Sequence, residues 1–257
     1  MTPSTAAALL AASAGAGVMN SMAGGGTILT FPALLLLGEP AVKANATSTV
    51  ALLPGAAASL FAYRREVEAH RAWLTSLLVP SLVGGAIGSL LLLATPDRSF
   101  ARLAPWLVLF ATVLFMLQAV VARKAGAVSV STEVATSPQR MVALFLQFFV
   151  AIYGGYFGAG IGILMLAILG FMGLHDIHAM NGLKNFFGIC INGVAAALFI
   201  AKGAVDWPAA LVMLVGAAAG GYAGARFARR IGKEKARTAV VVIGLFVTVV
   251  LLLEGRG

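Results

Sequence analysis

The sequence predicts an all-α polytopic membrane protein made of two inverted-topology repeats. Each repeat is a glycine-broken helical hairpin followed by three transmembrane helices. Three observations carry that prediction. The first is composition: 60% of the 257 residues are hydrophobic, 11% are charged, and the mean hydropathy is +0.97. A soluble domain carries about 25% charged residues, so this chain folds in lipid. The second is a series of apolar runs at 4–37, 44–63, 73–95, 101–122, 141–172, 178–201, 208–225 and 238–253. Most match the roughly 20 residues that cross a bilayer as a helix. The third is an internal repeat. Adding 136 carries Gly24 to Gly160, Gly26 to Gly162 and Asn45 to Asn181, and carries Gly84, Gly85 and Gly88 to Gly220, Gly221 and Gly224.

Taken in order, the chain has no Lys or Arg before Lys43 and therefore lacks the basic start of a signal peptide. It reads as the start of the mature protein. The run 4–37 would be about 50 Å of continuous helix, against a hydrocarbon thickness of about 30 Å. Gly24, Gly25 and Gly26 interrupt it, and glycine inside a helix costs about 1 kcal/mol against alanine. A break is expected there, giving two short helices that enter and turn back. Asn45, Thr47 and Ser48 open the next run, and basic residues fill the loop 64–72. Two more crossings complete the first half, residues 1–123. The polar stretch 124–139, with Pro138, is the expected linker. The second half, 140–257, begins with the overlong run 141–172, broken by Gly154, Gly155, Gly158, Gly160 and Gly162, and three crossings follow.

Orientation follows from Lys and Arg. If each overlong run crossed once, the two sides would carry eight and nine basic loop residues; if each returns to its own side, they carry five and twelve. Only the second division obeys the positive-inside rule. It places the loops 64–72, 123–140 and 226–237 in the cytoplasm and both termini outside. Each half then makes three net crossings, an odd number, so the second half is inverted. The chain is expected in the plasma membrane (the inner membrane of a bacterium), with the bilayer as its surroundings.

Backbone freed by a helix break is tolerated at membrane depth only where protein covers it or it lines a wet cavity. The N-termini created there carry partial positive charge and suit an anion. Gly24, Gly25, Gly26, Gly160 and Gly162 are therefore expected at a substrate site. Asn45, Thr47 and Ser48 from one half, with Asn181, Lys184 and Asn185 from the other, would complete it. Lys184 lies well inside the run 178–201, where an unpaired cation costs a few kcal/mol. A lysine snorkelling from a helix end is the alternative. Glu39 and Asp176 occupy near-equivalent loops in the two halves and are candidates for gating or coupling.

The segment "GGGTILTFPALLLLG" followed by "KANATS", repeated more weakly as "GAGIGILMLAILG" and "AMNGLKN", resembles the TauE/SafE group of sulfite-exporter-like membrane permeases. The resemblance covers nearly the whole chain. It implies a small-anion permease, with sulfite or organosulfur anions as typical substrates. The second half departs from the usual pattern: it lacks a glycine triplet, has Ile168 opposite Pro32, and has Gly-Leu-Lys at 182–184.

Other classes fit less well. The net charge of +9 comes from loop residues with no basic face interleaved with aromatics, so no nucleic-acid partner is expected. All nine acids and three histidines fall at run ends or in loops, which leaves no nucleophile and base facing each other in the core. The chain is not expected to be an enzyme or to need a cofactor. "HDIH" at 175–178 is too sparse for a metal site. Cys190 reads as a small buried hydrophobe. The glycine spacings 84/88, 154/158/162 and 216/220/224 suit close helix packing, within the chain or in a homo-oligomer. The expected function is transport of a small anion by alternating access. A passive anion channel and a non-transporting membrane assembly subunit are the alternatives.

Overall fold

The computed structural model describes residues 1–22, 25–62, 64–125, 137–174, 176–231 and 233–254. Gly24, most of the linker, and His175 of the "HDIH" motif lie outside the described residues. Every element among those described is a helix: α1 (Pro3–Met22), α2 (Thr27–Leu36), α3 (Ala41–Ala62), α4 (Arg64–Ala69), α5 (Arg71–Ala94), α6 (Asp97–Ala125), α7 (Ser137–Tyr156), α8 (Ile161–Phe171), α9 (Ile177–Ala201), α10 (Trp207–Ile231) and α11 (Lys233–Glu254). Three described segments, Trp73–Ala94, Asp97–Leu117 and Ala179–Ala201, are long and apolar enough to cross a membrane. Shorter apolar segments accompany them, Thr27–Leu36 and Ile161–Phe171 included.

Both overlong runs are broken at their glycines. α1 opens with Pro3 at its first position and the Thr2 hydroxyl accepting the Thr5 N–H at 3.2 Å, a local signal that fixes its start. It ends at Met22, and α2 begins at Thr27. Between them Gly25 sits at φ +91°, and a Cβ there would strike the Phe115 ring. Only glycine satisfies both conditions. α2 packs back on α1, and α8 packs back on α7, so each run is a hairpin. The hairpins also end alike. Gly38 (φ +87°) and Gly173 (φ +88°) close α2 and α8, with the Glu39 N–H on Leu34 O and the Leu174 N–H on Leu169 O.

The register of the repeat needs one correction. Adding 136 to the first residues of α3, α5 and α6 gives the first residues of α9, α10 and α11, but α1 and α2 reach α7 and α8 by adding 134. Gly26, before α2, thus corresponds to Gly160, before α8, and the constant offset had paired it with Gly162. The two extra residues are one in α8 and one in the loop after it. A gap-free comparison cannot see an insertion placed after the matched glycines.

Glycine seams hold the bundle. α1 packs on α10, and α5 packs on α7, which are repeat-related pairs. A Cβ at Gly220 would strike the Ala14 carbonyl, and one at Gly88 the Ile152 carbonyl. Backbones this close gain dispersion and Cα–H···O contacts where lipid offers no hydrophobic drive between helices. Gln147 Nε2 donates to Ser81 Oγ at 2.9 Å across the α5–α7 seam, as its position in an apolar run suggests. Phe31 of α2 meets Phe100 and Phe157 edge-on, with centroids 5.9 and 5.3 Å away, and this cluster fastens the first hairpin to the second break.

Polar contacts sort the loops into two ends. At one end Lys43 lies 3.5 Å from Asp206, the Asp206 N–H donates to Thr47 Oγ1 at 2.9 Å, and the Val42 N–H donates to Asp97 Oδ1 at 2.9 Å. The loops after α2, α5 and α9 thus meet there. At the other end Arg140 donates to Ser76 Oγ at 2.8 Å, and α4 packs on α9.

Candidate functional site

A cavity of about 140 Å³ lies between the two breaks and helices α3 and α9. A bound water needs roughly 10–15 Å³ on this kind of measure, so a small oxyanion and a few waters fit. The first break contributes Asn20, Gly25 and Thr27; the second contributes Gly158, Gly160 and Gly162. Thr49 of α3 faces Lys184, Asn185 and Asn192 of α9 across the space, and Phe115 of α6 closes one wall. Among the described residues, the lining contains no aspartate or glutamate.

Each break is braced differently. Asn20 Oδ1 accepts the Gly26 N–H at 2.8 Å, which leaves the donor end of its amide as the available group. The Tyr153 hydroxyl donates to Ala159 O at 2.7 Å in the second break. Neither α2 nor α8 has a side-chain cap, and the first turn of each tightens to three-residue bonds, Ile28 N–H on Gly25 O and Ile163 N–H on Gly160 O, both at 3.0 Å. Their starts therefore keep partial positive charge where they line the cavity. Lys184 adds a full charge. Its ammonium donates to Asn181 Oδ1 at 3.2 Å, and its stem runs over Gly162, where a Cβ would meet Lys184 Cδ at 3.1 Å. Gly162 is the groove that lets a long side chain lie inside the bundle.

Gly25, Gly160, Gly162, Lys184 and Asn185 thus line one space, and Asn181 holds the lysine beside it. Gly26 sits behind the lining, buried, with its N–H on Asn20. Asn45, Thr47 and Ser48 do not line the cavity. Asn45 Nδ2 donates to Tyr156 O at 3.1 Å, Thr47 holds the Asp206 N–H, and the Ser48 and Thr30 hydroxyls are 2.6 Å apart. All three side chains are buried. Glu39 lies at one end of the bundle, 3.4 Å from Lys43, and Asp176 is exposed at the start of α9. Thr27 and Thr49 are polar lining residues that the sequence reading missed, although adding 136 carries Thr49 to Asn185.

Apolar helices broken around a polar interior define an integral membrane protein. The family model described as "Sulfite exporter TauE/SafE" matches residues 9–251, and the chain belongs to that family. It is 29% identical over 239 residues to a probable membrane transporter protein of Haemophilus influenzae, covering 91% of this chain and 89% of that protein. It is 28% identical over 250 residues to the probable membrane transporter protein YfcA of Escherichia coli K12 (94% and 87%), and 26% identical over 241 residues to the probable membrane transporter protein ORF9 of a Sinorhizobium species (93% and 89%). No solved structure matches the chain.

Proposed function

We propose that this chain is a secondary transporter that moves a small anion, sulfite or an organosulfur anion, by alternating access of two inverted halves. One observation carries the reading: the cavity gathers the starts of two broken helices and the Lys184 ammonium, and among the described residues no carboxylate lines it. Opposite charge about 4 Å from an ammonium is worth about 4 kcal/mol at an effective dielectric constant of 20, before desolvation is subtracted. In this reading Lys184 compensates charge, and Asn20, Thr27, Asn185 and Asn192 offer hydrogen bonds. Thr49 lines the wall with its hydroxyl proton on Asn45 O at 2.9 Å, and Gly25, Gly160 and Gly162 keep the backbone within reach of the anion.

Inversion is supported by the loop contacts. Re-entrant hairpins put the loops after α2, α5 and α9 on one side of the bilayer; single crossings would separate the first from the last. Lys43 and Asp206 are 3.5 Å apart. With the positive-inside count, that end faces outward together with both termini, in the inner membrane of a bacterium. The halves then meet along the glycine seams, and their rocking would open the cavity to one side at a time. Glu39 and Asp206 sit where the outward gate would part.

Flux of radiolabelled sulfite into proteoliposomes tests the reading. Saturable uptake, accelerated by sulfite preloaded on the far side, is the expected result. Uptake that never saturates and ignores preloading would indicate a channel; no uptake of sulfite, thiosulfate or small sulfonates would leave the assembly-subunit reading.

A further inference from the structure

The repeat sets two pairs of residues in equivalent places. Asn181 and Lys184 on α9 match Asn45 and Ser48 on α3 by the same offset of 136, and the members of each pair lie one helical turn apart. In the second half the asparagine carbonyl has its cation, because Lys184 Nζ donates to Asn181 Oδ1 at 3.2 Å. In the first half the cation is replaced by a serine. There Asn45 is 1% exposed, and its Oδ1 is buried with no hydrogen-bond partner among the described residues. The amide cannot be turned round to cure this, since its Nδ2 already donates to Tyr156 O at 3.1 Å. A rotated amide would set two acceptors against each other.

Ser48 adds a second acceptor. The Ser48 and Thr30 hydroxyls are 2.6 Å apart, and Thr30 Oγ1 also lies 3.2 Å from Gly26 O; with the Thr30 proton on Gly26 O, Ser48 is the donor to Thr30. Ser48 Oγ keeps its lone pairs and is fully buried. The buried, unsatisfied Asn45 Oδ1 costs about 1–3 kcal/mol. Tyr156 is the last residue of α7, so the Asn45 amide rests against a helix C-terminus that carries about half a negative charge. Neutral oxygens at a helix C-terminus suit a monovalent ion; a calcium or magnesium ion would call for carboxylates.

We propose that Asn45 Oδ1 and Ser48 Oγ bind a monovalent alkali cation of sodium's class, at the place taken by the Lys184 ammonium in the other half. The second half has a built-in cation, and the first has an exchangeable one. The cation's use as the coupling ion rests on the transport reading above; its binding does not.

The thermal midpoint of the purified protein, titrated with NaCl, KCl or LiCl against choline chloride at constant ionic strength, tests this. At least one alkali cation should raise the midpoint saturably, because an ion that binds only the folded state stabilises it. Asn45→Ala and Ser48→Ala should each raise the apparent Kd for that ion tenfold or more. Ser48→Lys should abolish the response and raise the alkali-free midpoint towards the ion-bound value, since it supplies the missing ammonium. If Ser48→Lys does not fold, the two alanine variants decide. No saturable response to any of the three ions, or one unchanged in Asn45→Ala, overturns the proposal. A response with no anion flux keeps the cation site and sinks the transporter; flux with no response does the reverse.

Discussion

The two halves share a backbone plan and divide the chemistry unequally. In the first half, three polar side chains near the start of α3 serve the protein itself: Ser48 bonds Thr30, Thr47 holds the loop before α10, and Asn45 holds the end of α7. In the second half, Lys184, Asn185 and Asn192 line the cavity. The breaks differ in the same sense. Gly26 is in the right-handed helical region at φ −53°, and any residue could adopt that angle, whereas Gly160 is left-handed at φ +81°. A duplicated fold supplies two half-sites at no extra design. Divergence can then turn one set of side chains towards the cavity and leave the other to hold the frame.

The largest expected effect tests the part that has stayed equal. Gly88→Val and Gly220→Val each drive a branched side chain into a backbone carbonyl, of Ile152 and Ala14 respectively. Overpacking costs about 1–3 kcal/mol when side chains can yield, and more here because backbone must move. Both variants should lose most folded protein, measured as monodisperse material in size-exclusion chromatography. Gly188→Val, with open space around the glycine, should fold. If one seam tolerates valine and the other does not, the equivalence of α5–α7 and α1–α10 breaks down.

Next comes the position where the halves diverge. Lys184→Met keeps the stem over Gly162 and removes the ammonium. Anion affinity should fall tenfold or more, about 1.4 kcal/mol. Lys184→Arg should retain part of it, with altered preference from the wider planar head. Ser48→Ala, at the matching position, should change anion affinity less than threefold when measured with saturating NaCl. Isothermal titration with sulfite separates the two outcomes, and equal losses would mean that Ser48 also reaches the anion.

A smaller effect belongs to the matched pair that does share the cavity. Asn185→Ala removes one neutral donor, worth about 0.5–1.5 kcal/mol, or roughly two- to tenfold in sulfite affinity. Thr49→Val removes a hydroxyl that reaches the anion only if its proton turns away from Asn45 O, 2.9 Å away. Similar losses would make Thr49 and Asn185 partners in one site; a silent Thr49→Val would confine recognition to the second half.

Much of this was legible in the sequence, for physical reasons that also mark the limit. Helix breaks could be read because dense glycine in an overlong apolar run marks an interruption in lipid. Lys184 stood out because a cation inside such a run is costly. The facing of α3 could not be read. Asn45, Ser48, Thr49, Leu52 and Ala56 fall on one helical stripe, and only the packing of α2 and the end of α7 decides that the cavity begins at Thr49. Thr47, off that stripe, found its partner in the distant loop before α10. Register failed locally as well, because an inserted residue in α8 leaves no mark on hydropathy.

The smallest expected effect concerns the two ends of the bundle. Glu39, Lys43 and Asp206 join the loop after α2 to the loop before α10; Asp97 is the neighbouring charge, through the Val42 N–H. The Glu39 carboxyl is raised above its ordinary range, first by burial and then by hydrogen bonding to Asp206. Burial also pushes Asp206 upward, but hydrogen bonds to Glu39 and the Ala209 N–H, with Lys43 nearby, outweigh it and leave Asp206 below its ordinary range. The signs then oppose each other. Stabilisation from Glu39 is complete below its unfolded value and fades as pH rises through the raised one. Stabilisation from Asp206 is complete above its unfolded value and fades as pH falls through the depressed one. The junction is therefore tightest at mildly acid pH, with Glu39 protonated and Asp206 ionised. Glu39→Gln keeps a neutral donor at every pH, so its thermal midpoint should stay level where the wild type's declines as pH rises through the raised Glu39 range. With Lys43 40% exposed, the difference should stay under about 1 kcal/mol. A wild-type profile that is flat from pH 5 to 8 would reduce this contact to a surface ion pair, and a gate at that end would have to rest on the glycine seams alone.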